Sequence, residues 1–300
     1  MMKYTWTTRC AVGVALAGLT ATATAASPAL GASSGPAEIV DYTIKRGSYT
    51  PSNSDNYKSA DARCPTGTVV LGGGGQISGA GGRVGLRVVN PHRESNGRYR
   101  VTVAAAEIPF GTAQNWQVRA YAVCGKKPAG YYLTGWKKSV TDRDRTFKTA
   151  AATCPGNRKP LGYGAKITGA DGNASLRSMF VPAHLPRTVS VSGSEAATNA
   201  RSRWSVSSQA VCADVSVGQR EKNGDWSTVR SASVFCPADR RPLGAGVMLS
   251  ATQQTLRNLL VRAVYPFTLF GGGGSAAQVS EDWNGTSGAW KVRAQVICVP

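Results

Sequence analysis

His92 and His184 are the only histidines in this 300-residue chain, and histidine is the side chain whose ordinary pKa suits proton transfer near neutrality. Each lies a few residues after a Leu-Arg pair and beside a proline, Pro91 or Pro182. A hydrolase needs one such base next to a nucleophile and an orienting acid, or two carboxylates at working distance. Two related histidines in turns read instead as exposed loop residues, and a secreted hydrolase using either one as base is the secondary expectation. The one Gly-x-Ser-x-Gly match, Gly31 to Gly35, falls on a leader-cleavage region where no strand-to-helix elbow forms. Neither Gly72 to Gly75 nor Gly271 to Gly274 is followed by Lys-Ser/Thr and a helix, as a phosphate loop requires. Glu281-Asp282 and Asp142 with Asp144 lack the ligand ladder of a calcium loop. The sequence therefore offers no catalytic set, no metal site and no cofactor motif.

Cations offer a different chemistry. Arg87, Arg177 and Arg257 recur once per copy of an internal repeat, as do Lys58, Lys148 and Arg230. On a threefold body each set would form three equivalent points, a multivalent reader of anions. The competing reading buries the leucine of each Leu-Arg pair and leaves the arginine solvated. Trp116, Trp204 and Trp290 share strand parity with valine and cysteine, which marks them as core rather than sugar-stacking residues.

The repeat must position these groups. Each copy reaches Cys-Pro (Cys64-Pro65, Cys154-Pro155, Cys236-Pro237), then Leu-Gly-x-Gly at Leu71, Leu161 and Leu243, then Trp-x-Val and a closing cysteine. The copies span 55–128, 145–216 and 227–300, joined by short polar connectors and preceded by a loosely ordered arm over 33–54. Alternation such as Trp116, Val118, Ala120, Ala122, Cys124 is that of half-buried strands. Two glycines on one strand face expect a close approach, by the same copy's tryptophan ring or by a ligand. Pairing first with last cysteine is the only scheme that respects the repeat: Cys64–Cys124, Cys154–Cys212 and Cys236–Cys298. No close cysteine spacing suggests zinc. The expected fold is all-β, three homologous strand-rich repeats in one pseudo-threefold, β-prism-like body with one intra-repeat disulfide each. Copy-specific recognition is expected between the Leu-Arg pair and the tryptophan, at Pro109 to Asn115 and Gly271 to Asn284.

Residues 1–32 read as a secretory signal, with Lys3 and Arg9 before the apolar run Ala11 to Leu19 and small residues after it. No segment is long enough to span a membrane as a helix. Cleavage removes Cys10 and two of the 35 Lys and Arg, leaving six cysteines and 33 cations against 16 Asp and Glu, a formal +17. Such a chain attracts anionic wall polymers and acidic polysaccharides, and no specific nucleic-acid motif accompanies the charge. The expectation is a secreted binding protein whose partner is a polyanion or polysaccharide at the envelope or outside the cell, with an extracellular inhibitor or toxin-like role as a further alternative. The repeat pattern resembles that of uncharacterised secreted proteins of actinobacteria, a resemblance that implies no activity. The threefold plan is similar, in architecture alone, to jacalin-type lectins and the vitelline membrane outer layer protein, so it implies no binding residue.

Overall fold

A computed structural model describes residues 39–300 except 110, 144–145, 171–172, 197–201, 215–219, 224, 226–227, 229 and 270–271. The signal region, Cys10, Gly31 to Gly35 and the first residues of the arm lie outside the described residues.

The described residues form mostly strands, with one short α-helix. Copy 1 with the arm before it contributes β1 (Thr43–Arg46), β2 (Tyr57–Arg63), β3 (Val69–Gly79), β4 (Val84–Arg93), β5 (Tyr99–Glu107) and β6 (Trp116–Gly125). Copy 2 with the connector before it contributes β7 (Tyr132–Leu133), β8 (Lys137–Lys138), β9 (Phe147–Thr153), β10 (Lys159–Gly169), β11 (Ala174–Phe180), β12 (Thr188–Glu195) and β13 (Trp204–Ala213). Copy 3 with the connector before it contributes β14 (Arg220–Asn223), β15 (Ser231–Phe235), β16 (Arg241–Ser250), β17 (Leu259–Leu269), β18 (Gly272–Glu281) and β19 (Lys291–Val299), with α1 (Gln253–Arg257) inserted before β17.

No copy owns a sheet. The first sheet runs β1-β6-β3-β17-β18-β15, the second β2-β5-β4-β10-β13-β7 with β8 also on β13, and the third β14-β19-β16-β11-β12-β9. Each sheet joins half of one copy to half of another through a short seam: Gly75 opposite Val264, Val89 opposite Ala165, and Met179 opposite Val247. Three copies exchanging halves in a cycle make one cooperative body, and the apolar core draws on all of them.

Parts of the arm, expected to be loosely ordered, and of the connectors form strands. β1 pairs with β6, β7 and β8 with β13, and β14 with β19. Without them the closing strand of each copy would present an open edge. The new edges carry exposed cations instead, Lys45 and Arg46 on β1 and Lys137 and Lys138 on β8.

The disulfides pair as the spacing expects, over separations of 60, 58 and 62 residues. Each links a Cys-Pro turn after an outer strand to a closing strand in another sheet. Cys64–Cys124 joins the second sheet to the first, Cys154–Cys212 the third to the second, and Cys236–Cys298 the first to the third. The three bonds thus stitch the circuit of sheets shut.

The Leu-Gly-x-Gly segments meet at one end of the core. Leu71, Leu161 and Leu243 are fully buried together with Ile39, Val123, Val211 and Val299. A Cβ on Gly72 would overlap the Leu243 carbonyl, and one on Gly162 would lie 2.6 Å from the Leu71 oxygen. One on Gly244 would lie 2.8 Å from the Leu161 oxygen. The close approach is therefore made by a neighbouring copy's backbone, not by the tryptophan ring or a ligand. Glycine is required because any Cβ would force the three copies apart.

Candidate functional site

The tryptophans are internal. Trp116 and Trp204 are fully buried and Trp290 is partly so. Each indole donates to a glutamate nine residues earlier: Trp116 to Glu107 at 3.0 Å, Trp204 to Glu195 at 2.9 Å, Trp290 to Glu281 at 2.9 Å. The shared Glu-x8-Trp spacing is legible in the sequence and would have identified Glu281 as an indole acceptor rather than part of an acidic loop. Asp142 is likewise engaged, pairing with Lys148 at 2.8 Å, while Asp144 lies outside the described residues.

Two of the recurring lysines are internal as well. Lys58 and Lys148 each place the ammonium 4.5 Å from the centre of Trp116 and Trp204. Lys58 donates to the carbonyls of Pro51, Asn53 and Trp116, and Lys148 to those of Asp142 and Trp204. They tie the lead segment of each copy to its tryptophan and present no surface charge. Arg230, at the corresponding position of copy 3, is exposed, so the set is not three equivalent cationic points.

The Leu-Arg set needs a similar correction. Arg87 and Arg177 are each the extra residue of a bulge, between Leu86 and Val88 and between Leu176 and Ser178. In copy 3 the bulge falls between Val261 and Ala263, so Arg262 is the structural counterpart and Arg257 belongs to the inserted α1. All three bulge arginines donate to carbonyls of another copy. Arg87 reaches Gly169, Arg177 reaches Leu256 and Arg257, and Arg262 reaches Gly79 and Ala80. Arg257 itself donates to the Ala196 carbonyl at 3.3 Å. Arg177 is fully buried, and burial pulls its guanidinium down to about 9 against the attraction of Asp282. These arginines clasp copies together.

The histidines do not occupy equivalent places. His92 lies on β4, with Nδ1 3.0 Å from the Asn90 carbonyl and Nε2 accepting from Arg100 Nε at 2.8 Å. A carbonyl on one side and a guanidinium on the other select the Nδ1–H tautomer and occupy both nitrogens. Arg100 also pairs with Asp61 at 2.9 Å and Glu94 at 3.2 Å. His184 is exposed in the turn after β11, where Leu185 N–H donates to the Pro182 carbonyl. Among the described residues no cluster of three or more His, Cys, Asp and Glu could hold a metal. The copy-specific segment from Gly271 is mostly β18 rather than a loop. In copy 1, Thr112 N–H closes its loop onto Glu107 at 2.9 Å.

What remains as a site is the end of the body carrying the Cys-Pro turns. Cys64 N–H donates to Tyr99 O, Cys154 N–H to Arg187 O and Cys236 N–H to Gly273 O, so each turn is held against a neighbouring hairpin or loop. Exposed Arg63, Arg93, Arg98, Lys126, Lys127, Lys159 and Arg187 gather here with partly exposed Arg100, Arg158, Arg240 and Arg241. Among the described side chains the carboxylates here are Asp41, Asp61, Glu94, Asp214 and Asp239, less than half as many. Ion pairs outside the Arg100 cluster are long: 3.7 Å for Lys126–Asp41 and Arg158–Asp214, 3.9 Å for Arg240–Asp239.

Tyrosines are interleaved with the cations. Arg241 lies over Tyr42 at 5.4 Å, and Arg158 over Tyr132 and Arg93 over Tyr99 at 5.9 Å each. Tyr42 donates to the Pro242 carbonyl at 2.7 Å and Tyr131 to the Val70 carbonyl at 2.9 Å, both across copies. Burial raises both phenols well above the ordinary tyrosine range. Sequence reasoning missed this surface because none of its cations recurs in all three copies. Only their closeness to the Cys-Pro turns could have signalled it. Scanned against models of protein families the chain matches none, and no curated protein matches it in sequence.

Proposed function

We propose that the protein is an extracellular binding protein that attaches to anionic polysaccharide at the cell envelope or outside the cell, through the cationic end that bears its Cys-Pro turns. The observation that carries this reading is the gathering of exposed arginines and lysines, with tyrosines between them, on turns anchored by three disulfides. Such a surface concentrates polyanions, and arginine offers two parallel donors to carboxylate, phosphate or sulfate groups. A rigid scaffold lowers the ordering cost of binding. Three disulfides also suit an oxidising destination, and no described helix is long and apolar enough to cross a membrane.

The test compares two charge reversals of equal size. Arg98, Lys126 and Lys127 changed to Glu remove charge from the proposed end, whereas Lys137, Lys138 and Lys166 changed to Glu remove it from β8 and β10. The first variant should elute from polygalacturonate and heparin resins at much lower salt than the native protein, and the second close to it. Free passage of the native protein at low salt would refute the reading.

A further inference from the structure

At the junction of copies 1 and 3 the cationic end opens into a cavity of about 370 Å³, lined among others by Tyr42, Arg240, Arg241, Pro242, Leu269 and Gly272. Arg240 is the unusual member. Its side chain is only 13% exposed, its nearest carboxylate is the largely solvated Asp239 at 3.9 Å, and its Nη1 is buried with no hydrogen-bond partner. A buried guanidinium donor without a partner is unfavourable, and a small turn of the side chain toward the cavity would let an arriving oxyanion satisfy it. Arg241 stands beside it over the Tyr42 ring, so a second positive charge faces the same space. The remaining wall carries Asp239 and Thr268 beside Ala238, Leu269 and two glycines. Leu269 is 61% exposed, and a Cβ added at Gly272 would meet nothing within 4 Å.

We infer that this cavity is a subsite for one oxyanion-bearing sugar unit, with Arg240 gripping the carboxylate, sulfate or phosphate group and Tyr42 and Leu269 covering the ring. The inference rests on the polysaccharide-binding reading and deepens it. The volume lies near the lower end of small-ligand pockets, about 300–1,000 Å³, and suits a single substituted ring rather than a long chain. The described residues of the other copies differ at the arginine. Copy 1 has Thr68 at the position of Arg240, with its hydroxyl donated to the Pro65 carbonyl at 2.8 Å. Copy 2 has Arg158 there, leaning on Tyr132 of its own lead segment. One site per chain follows.

Titration calorimetry of the mature protein with a galacturonate tetramer, a heparin tetrasaccharide, a sugar-phosphate oligomer and a neutral maltotetraose tests this. At least one anionic oligomer should bind at one per chain, and which one identifies the oxyanion. Arg240→Ala should weaken that oligomer at least tenfold. Gly272→Leu, which grows a side chain into open space without changing charge, should do the same. Lys138→Ala, on β8 away from this end and also costing one positive charge, should change it less than twofold, and thermal unfolding checks that all variants fold. Equal losses in all three variants, retention on polyanion resin without oligomer binding, or equal binding of maltotetraose would overturn the subsite while leaving the resin-based reading standing. Failure of the native protein to bind either the oligomers or the resins would remove both.

Discussion

Arg177→Met separates a clasp from an anion reader. In the folded protein Nε of Arg177 donates to Ser194 Oγ at 2.7 Å and to the Leu256 carbonyl at 2.6 Å. Nη1 serves the Ser175 hydroxyl and the Leu176 carbonyl, and Nη2 the Arg257 carbonyl at 3.2 Å. The guanidinium has no exposure to solvent, and although burial holds it to about 9 it remains charged at pH 7. Methionine fills much of the volume but leaves the Arg257 carbonyl without this donor and Asp282 without its attracting charge. Orphaned buried acceptors cost about 1–3 kcal/mol each, and removing one partner of a buried charge pair about 3–5 kcal/mol. We expect Arg177→Met to lose about 3–5 kcal/mol in urea unfolding. Arg87→Met, which removes a partly exposed clasp onto the Gly169 carbonyl, should lose about 1 kcal/mol. Retention on polyanion resin should be nearly unchanged in both. A loss below about 1 kcal/mol for Arg177→Met, or an equal fall in retention for both variants, would refute the assignment of these arginines to the seams.

The raised phenols of Tyr42 and Tyr131 set an alkaline limit. Above about pH 10 the unfolded chain releases protons that the folded one keeps, so stability should fall with pH by up to about 1.4 kcal/mol per unit for each tyrosine. Urea midpoints of Tyr42→Phe/Tyr131→Phe between pH 9 and 11 should show a shallower decline than those of the native protein. Replacing Cys154 and Cys212 by alanine should lower stability by about 4 kcal/mol, measured by denaturant unfolding without reductant. Glu195→Ala strands the buried Trp204 N–H and should cost about 1–3 kcal/mol; Glu281→Ala, at the partly exposed Trp290, should cost less in the same assay. Gly162→Ala drives a methyl into the Leu71 carbonyl, and a midpoint equal to the native one would show that the copies do not meet at these glycines.

The disulfides, the closing strands and the buried tryptophans were legible because each is written at a nearly fixed offset in every copy. A cysteine span or a Trp-x-Val alternation survives loop variation outside it. The bulge arginine does not, because copy 3 inserts α1 just upstream and α1 happens to contain Leu256-Arg257. Counting back from the tryptophan-bound glutamates finds the true set: Arg87, Arg177 and Arg262 precede Glu107, Glu195 and Glu281 by 20, 18 and 19 residues. Arg257 precedes Glu281 by 24. The exchange of half-sheets was not legible at all, since pattern and period describe a strand's faces but not which copy supplies its neighbour.

That exchange also explains where the charge goes. A body closed by swapping halves has seams where strand ends leave carbonyls facing another copy, and every copy meets the same need. A long side chain with several donors, recurring once per repeat, answers it: Arg87, Arg177 and Arg262 at the bulges. Recurrence of a cation within a repeat protein is therefore evidence for the scaffold, because symmetry-related seams demand symmetry-related partners. A single ligand makes no such demand. The cations to weigh for recognition are those that break the repeat. Lys126 and Lys127 are such cations, since copy 2 has Asp214 and Val215 at their positions after the closing cysteine.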